Sequence, residues 1–267
     1  MKLFTIPNLI TLGNLFCGCL AIVFAFNGNL VWAAYLVGIA AVLDFLDGFV
    51  ARALKQHSPI GKDLDSLADM VTFGVVPGVV MFQLLRFGCS VNAGGLEAWV
   101  ENKTNFLFYP MALVAFVIPL FSALRLAKFN NDTRQSDSFI GVPTPANSIL
   151  ICSLPLVMRS EDLLRYYENP PTMFECVYEP SHLWFIAHPW FLIGVTIVMS
   201  LLLISEIPLF ALKFKNFKWK GNEIRFSFLA VAVAMLVVLK YIALPLIIVL
   251  YVLVSVVSNL FMKKTSS

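Results

Sequence analysis

An all-α, polytopic membrane helix bundle is the fold this sequence predicts, on three observations. Of its 267 residues, 59% are hydrophobic and only 13% charged, far from the soluble norm of roughly half apolar and a quarter charged. Apolar stretches of the ~20 residues that a bilayer crossing requires recur along the chain. Lysine and arginine are distributed unevenly between the intervening loops, as in a chain threaded repeatedly through a membrane.

Glycine, proline and charge punctuation delimits about eight transmembrane helices, near residues 8–26, 30–55, 63–86, 107–127, 144–158, 183–204, 226–242 and 245–262. The fifth is short for a full crossing. The last two are separated only around Leu244 and Pro245 and can be read as one kinked segment. With the N-terminus inside, the cytoplasmic loops hold Lys2, the basic residues of 52–62, 125–134 and 213–225, and Lys263 and Lys264. Only five of the 19 basic residues (Arg86, Lys103, Arg159, Arg165, Lys240) then face outward, which favours an even number of spans with both ends inside. The outer loop 159–182 carries Glu161, Asp162, Glu168, Glu175 and Glu179 and reads as a solvated surface loop.

The net charge of +3 gives no indication of a nucleic-acid partner. Five cysteines, at 17, 19, 89, 152 and 176, form no CxxC pair and have no histidine at zinc-ligand spacing. Cys89 and Cys176 fall in stretches read as polar loops on the same side, which leaves a disulfide between them open.

The second helix should be apolar throughout, yet it reads AVLDFLDGFVARAL. A carboxylate at the centre of a span costs at least ~2.5 kcal/mol on insertion scales, so such acids usually face a cavity, a partner or a metal. At about 100° per residue, Asp44, Asp47, Gly48, Ala51 and Arg52 share a sector of ~140°. Eight residues on, GKDLDSLAD sets Gly61, Asp65 and Asp69 four apart along one ridge of the third helix. A short loop makes the two helices antiparallel, so their acidic faces can meet near the cytoplasmic surface. Four carboxylates brought together need protons or cations, and an all-oxygen donor set favours Mg²⁺ or Mn²⁺ over zinc. Gly48 and Ala51 leave room for a ligand. Gly61 stands at a helix start whose free N–H groups suit an anion such as phosphate. Asp63 reads instead as a first-turn charge complementing the helix dipole.

The assembled string, Asp44-x2-Asp47-Gly48-x2-Ala51-Arg52-x8-Gly61-x3-Asp65-x3-Asp69, resembles the signature of the CDP-alcohol phosphotransferase family at every fixed position. The resemblance implies that family's membrane-embedded fold and two divalent ions, Mg²⁺ or Mn²⁺, held by Asp44, Asp47, Asp65 and Asp69. It implies a nucleotide over the glycine-rich face, touching Asp47, Gly48, Ala51, Arg52, Gly61 and Asp65, and Asp69 as the base. Pro7-Asn8-x2-Thr11-x2-Asn14 is similar to the N-terminal pattern of the family's bacterial and archaeal serine-using branch, the phosphatidylserine synthases. The likeness adds Asn8 and Thr11 to the nucleotide contacts. Residues 125–130 (RLAKFN) and 139–146 (FIGVPTPA) are similar to two further segments of that branch, with Lys128 in place of an arginine and Thr144 in place of a serine. Lysine cannot reproduce bidentate guanidinium binding. These segments nominate Arg125, Lys128, Asn130 and Pro143 around a serine or phosphate. Lys128 reads equally as a cytoplasmic flanking charge, Arg125 somewhat less readily so, and Pro143 equally as part of a rigid loop.

What the resemblance implies is transfer of the phosphatidyl group of CDP-diacylglycerol to L-serine, with CMP released. Glycerol 3-phosphate or inositol phosphate as acceptor is the nearest alternative. A cation transporter using the intramembrane carboxylates, or a scaffold in lipid assemblies, is the reading from another class. Residues 1–205 are expected to form the catalytic membrane domain, and 206–267 a basic cytoplasmic loop with C-terminal transmembrane helices. The lysines at 213–220 suggest contact with anionic lipid headgroups. The expected setting is a prokaryotic inner membrane with the site facing the cytoplasm, and the family implies a homodimer.

Overall fold

The computed structural model describes residues 4–56, 59–102, 109–131, 138–160, 184–210 and 222–265. Helix α1 (Ile6–Phe26) starts at Thr5, whose side chain accepts the Asn8 amide at 3.4 Å. Pro7 occupies the first turn, where an N–H has no helical partner anyway. The chain reverses through Gly28, at φ +82°. Asn29 then caps α2 (Leu30–Ala53) by accepting the Trp32 amide at 3.3 Å. The buried sides of this pair are rich in alanine (Ala21, Ala25, Ala33, Ala34, Ala40), while Phe16, Val23, Ile39, Val42 and Phe49 face outward. Small residues let backbones approach closely in lipid, where burying apolar surface gives helices no drive to associate.

Helices α3 (Pro59–Asp69) and α4 (Val76–Asn102) belong to one helical run, interrupted by a π-helical turn at Met70–Val75. This run is the most buried of the candidate spans, with Val80, Met81, Leu84, Leu85 and Phe87 inside the core. Its length corrects the sequence reading. Sequence punctuation predicts an end near Arg86 followed by a polar loop, whereas Arg86 and Cys89 are buried within α4. Gly88 is a packing position rather than a turn, since a Cβ there would lie 2.2 Å from the Ala187 carbonyl oxygen. Arg86 is held internally, its Nη1 donating to Gln83 Oε1 at 2.8 Å, while Gln83 Nε2 donates to the Ala25 carbonyl at 3.0 Å. Cys89 is a free thiol. Cys176, the acidic residues 161–179 and the lysines at 213–220 lie outside the described residues.

A 3₁₀ turn (Pro110–Phe116) leads into α5 (Val117–Asn131), which crosses α4 closely: a Cβ on Gly78 would meet Pro119 Cδ at 2.8 Å. Strand β1 (Ser138–Ile140) precedes α6 (Thr144–Ser160). It pairs antiparallel with β2 (Pro208–Phe210), which follows α7 (Pro189–Ile204), and sets Phe139 opposite Leu209. Among the described residues, these two three-residue strands are the departure from an otherwise all-α membrane bundle. Gly141 makes the turn into α6 at φ +74°. Its amide donates to the Ile207 carbonyl at 2.9 Å, and a Cβ would lie 2.6 Å from the Leu203 carbonyl oxygen.

Helices α8 (Glu223–Leu239) and α9 (Ala243–Thr265) form a hairpin, not one kinked segment. The reversal falls at Lys240 (φ +51°), ahead of the Leu244–Pro245 position where the sequence suggests it. The Phe228 and Tyr251 rings, on opposite limbs, come to 5.8 Å. Phe210 of β2 packs on both rings, and its carbonyl accepts the Tyr251 hydroxyl at 2.8 Å. Among the described residues, five segments are long and apolar enough to cross a bilayer: Ile6–Phe26, Leu30–Ala53, Ile60–Asn92, Pro110–Asn131 and Glu223–Asn259. This is fewer than the eight expected because α6 and α7 are shorter and the last segment contains both limbs of the hairpin.

Gly88→Ala should lower stability by about 1–3 kcal/mol, the range for overpacking a tight contact. Gly38→Ala, with nothing within 4 Å of its new methyl, should not. Thermal unfolding in detergent reads the difference, and equal midpoints for the two variants would contradict the α4 packing described.

Candidate active site

Helix α1 presents a polar ridge to the acidic faces of α2 and α3. Asn8, Thr11 and Asn14 recur at three-residue spacing and are all buried, at 4%, 4% and 0% exposure. Thr11 Oγ1 lies 2.5 Å from Asp47 Oδ2, and 3.1 Å from the Pro7 carbonyl one turn back. Asn14 Nδ2 donates to Asp69 Oδ1 at 3.4 Å. Further along the ridge, Gly18 lets the π turn approach, since a Cβ would fall 2.4 Å from Thr72 Oγ1. That hydroxyl donates to the Asn14 carbonyl at 3.3 Å. One helix face therefore orients two of the four aspartates and seats the turn that follows the fourth.

Asp44, Asp47 and Asp65 each bring a carboxylate oxygen within 4.8 Å of the others. At that separation and an effective dielectric of ~20, each like-charge pair repels by roughly 3 kcal/mol. Asp69 stands beside this triad, its carboxyl group close enough to interact with that of Asp44. Oδ1 of Asp65 is buried with no partner among the described residues. An all-oxygen, partly unsatisfied donor set of this kind suits a hard divalent cation. Asp63 is exposed, away from the cluster.

A cavity of about 540 Å³ opens against the triad, lined by Pro7, Asn8, Thr11, Asp47, Gly48, Ala51, Gln56, Gly61, Lys62 and Asp65. It gathers every residue nominated from the sequence for nucleotide contact except Arg52. That side chain is exposed and lies 3.5 Å from where a Gly48 Cβ would stand. Pro7, Gln56 and Lys62 are additional. Lys62 reads in the sequence as a flanking charge, and only the fold shows it at the cavity wall, donating to the Asn130 carbonyl at 3.2 Å. Gln56 closes the end of α2, its amide donating to the Ala51 carbonyl at 3.0 Å.

The residues nominated around the acceptor separate. Arg125 is buried beside the cluster, interacting with the Asp69 charge, with its guanidinium 4.9 Å from the Phe129 ring centroid. Lys128 forms an ion pair with Glu206 in the α7–β2 connection. Asn130 links α5 to α3, its Nδ2 donating to Ser66 Oγ at 2.8 Å. Pro143 is half-buried at the entry to α6, its carbonyl accepting the Asn147 amide at 3.1 Å. Ser122 and Asn147, which the sequence reading passes over, and Thr144, which it names only as standing in place of a serine, are fully buried with polar atoms that have no partner among the described residues. Their helical spacing to Arg125 and to Pro143 was the available signal.

A profile described as CDP-alcohol phosphatidyltransferase matches residues 4–167. The chain is 37% identical over 151 residues to a Helicobacter pylori protein (strain J99) named CDP-diacylglycerol--serine O-phosphatidyltransferase, covering 56% of each. A Bacillus subtilis protein of the same name is 34% identical over 140 residues, 52% of this chain and 69% of that one. A Methanothermobacter thermautotrophicus archaetidylserine synthase is 32% identical over 154 residues, 57% of this chain and 58% of that one. The aligned region is thus little more than half the length of the Helicobacter and archaeal relatives.

Thr11→Val should weaken Mn²⁺ binding by about 10- to 100-fold, as loss of a hydrogen bond that orients a metal ligand typically does. Asp63→Asn should leave it unchanged. Titration of the purified protein followed by Mn²⁺ EPR measures both, and a Thr11→Val affinity equal to that of the parent would deny Thr11 a role in orienting Asp47.

Proposed function

The chain belongs to the CDP-alcohol phosphatidyltransferase family, and from that premise we propose that it transfers the phosphatidyl group of CDP-diacylglycerol to the hydroxyl of L-serine, giving phosphatidylserine and CMP. The observation that carries this reading is the union of a cavity of about 540 Å³ with a carboxylate triad, Asp47 and Asp65 belonging to both. Serine as the acceptor is supported by the names of the relatives and by the α1, 125–130 and 139–146 segments.

Asp44, Asp47 and Asp65, with Asp69 beside them, would hold two Mg²⁺ or Mn²⁺ ions, which when bound neutralise the pyrophosphate and draw charge from the attacked phosphorus. The remaining work falls to the chain's own side chains. Gly48 and Ala51 leave space at the cavity wall for the nucleotide, and Gly61 brings it near the start of α3. Thr11 orients Asp47 and Asn14 orients Asp69. As the serine oxygen bonds to phosphorus, Asp69 takes the hydroxyl proton. The bond from that phosphorus to the CMP oxygen breaks, and CMP leaves with the electron pair. Arg125, beside Asp69, receives the serine carboxylate. Lys128 and Asn130, committed to Glu206 and Ser66, shape the rim.

The bias of lysine and arginine supports a cavity that opens to the cytoplasm of a prokaryotic inner membrane. Residues 1–205 then form the catalytic membrane domain, and 206–267 its basic loop and C-terminal helices.

Purified protein supplied with Mg²⁺ or Mn²⁺, CDP-diacylglycerol and labelled serine should release CMP and form serine lipid, and EDTA should stop both. Turnover with glycerol 3-phosphate or inositol phosphate but not with serine would overturn the acceptor assignment. Asp69→Asn should reduce kcat by about 10²–10⁴-fold, the usual contribution of a general base, while CDP-diacylglycerol still binds. Near-normal turnover would remove Asp69 from that role.

A further inference from the structure

Five buried polar atoms on α5 and α6 have no partner among the described residues: Ser122 Oγ, Arg125 Nε, Thr144 Oγ1, and both Nδ2 and Oδ1 of Asn147. Ser122, Thr144 and Asn147 are 0% exposed and Arg125 is 6% exposed. Unpaired groups at such depth are costly, the more so away from water within a membrane. Ordinary structural roles do not account for them. Thr144 is the first residue of α6, one past the cap position held by Pro143, and its hydroxyl oxygen has no partner among the described residues. Asn147 sits in the first turn with its backbone amide satisfied and both ends of its side-chain amide unused.

The fold brings these residues toward Asp69. Both α5 and α6 pack against the π turn that begins at Met70. Ser122 lies over Gly74 of that turn, its Cβ 3.2 Å from where a glycine Cβ would stand, and Arg125, one turn on, interacts with Asp69. Asp69 thus has the acids of the nucleotide cavity beside it and Arg125 of α5 within electrostatic reach, while α6 packs against the turn that follows it.

We propose that Thr144 and Asn147, together with Ser122 and Arg125, form the acceptor-recognition site, and that its donor and acceptor pattern selects a zwitterionic hydroxy amino acid over a phosphorylated alcohol. The inference rests on the phosphatidyltransferase reading and names the side chains that choose its acceptor. The Arg125 guanidinium and Asn147 Nδ2 donate to the carboxylate. Asn147 Oδ1 and the Ser122 and Thr144 oxygens accept from the ammonium, and the hydroxyl is directed to Asp69. One guanidinium balances one carboxylate, whereas a phosphomonoester carrying about −1.5 to −2 would leave charge uncompensated. A site whose buried groups are satisfied only by the right ligand also discriminates strongly against analogues that leave them unpaired.

Asn147→Leu replaces both unpaired amide atoms by methyl groups in the same branched shape, so it should hold or raise the melting temperature. The KM for serine should rise on the order of 10- to 100-fold, as expected for loss of hydrogen bonds to a charged ligand, with the KM for CDP-diacylglycerol unchanged. Thr144→Val, nearly isosteric, should shift the same constant in the same direction, and it decides the matter if the leucine variant does not fold. Serine turnover with unaltered serine KM in the folded variant overturns this inference and leaves the proposed function standing. A parental enzyme that uses glycerol 3-phosphate and not serine overturns both. Parallel rises in both KM values in a folded variant would assign these residues to packing and overturn the inference.

Discussion

The governing constraint is the placement of four carboxylates on membrane-embedded helix faces, three of them with oxygens within 4.8 Å of one another. Insertion into lipid opposes each charge, and mutual repulsion opposes the set. The surrounding structure answers both. The polar ridge of α1 supplies hydroxyl and amide donors to Asp47 and Asp69, and Arg125 brings the nearby positive charge. The cavity beside Asp47 and Asp65 keeps that side polar and open to a ligand. Oδ1 of Asp65 is buried with no partner among the described residues and stays available to a cation.

Holding such a cluster requires backbones close enough for short polar side chains to reach across. That explains the packing glycines. Gly18 admits Thr72 to α1, and Gly78 admits Pro119 to α4. The π turn at Met70–Val75 lies between the acidic end of α3 and the apolar α4, so that Asp69 serves the site while Val80, Leu84 and Phe87 fill the core. π turns inside helices are frequent at functional sites for this reason: one extra residue re-aims a face without breaking the helix. Side chains mounted on helices in this way are held more tightly than a loop would hold them.

The C-terminal hairpin reaches the same site indirectly. Phe228 and Tyr251 enclose Phe210, and Tyr251 bonds its carbonyl. β2 in turn pairs with β1, and Gly141 leads from β1 into the first turn of α6, where Thr144 and Asn147 stand. The Lys128–Glu206 ion pair ties α5 to the same connection. Residues 206–210 thus brace both helices that carry the unpaired polar atoms.

Much of the site was legible in the sequence because charge inside an apolar run is conspicuous and helical periodicity converts spacing into a shared face. Asp44 and Asp47 against Asp65, and Gly48, Ala51 and Gly61 around one cavity, follow from that arithmetic. The membrane bundle follows from composition. Spacing within one helix says nothing about which neighbour it meets, so the bonds from Thr11 to Asp47 and from Asn14 to Asp69, Lys62 at the cavity wall, and Arg125 beside Asp69 with Lys128 turned away to Glu206 were decided by tertiary structure. The run through Arg86 to Asn102 escaped punctuation because Gly88 serves packing as readily as turning. The reversal at Lys240 reads a few residues late in the sequence, at Leu244–Pro245, because a proline is stronger sequence punctuation than a lone lysine in an apolar run. Local chemistry determined what the aspartates need; long-range packing decided which side chains supply it.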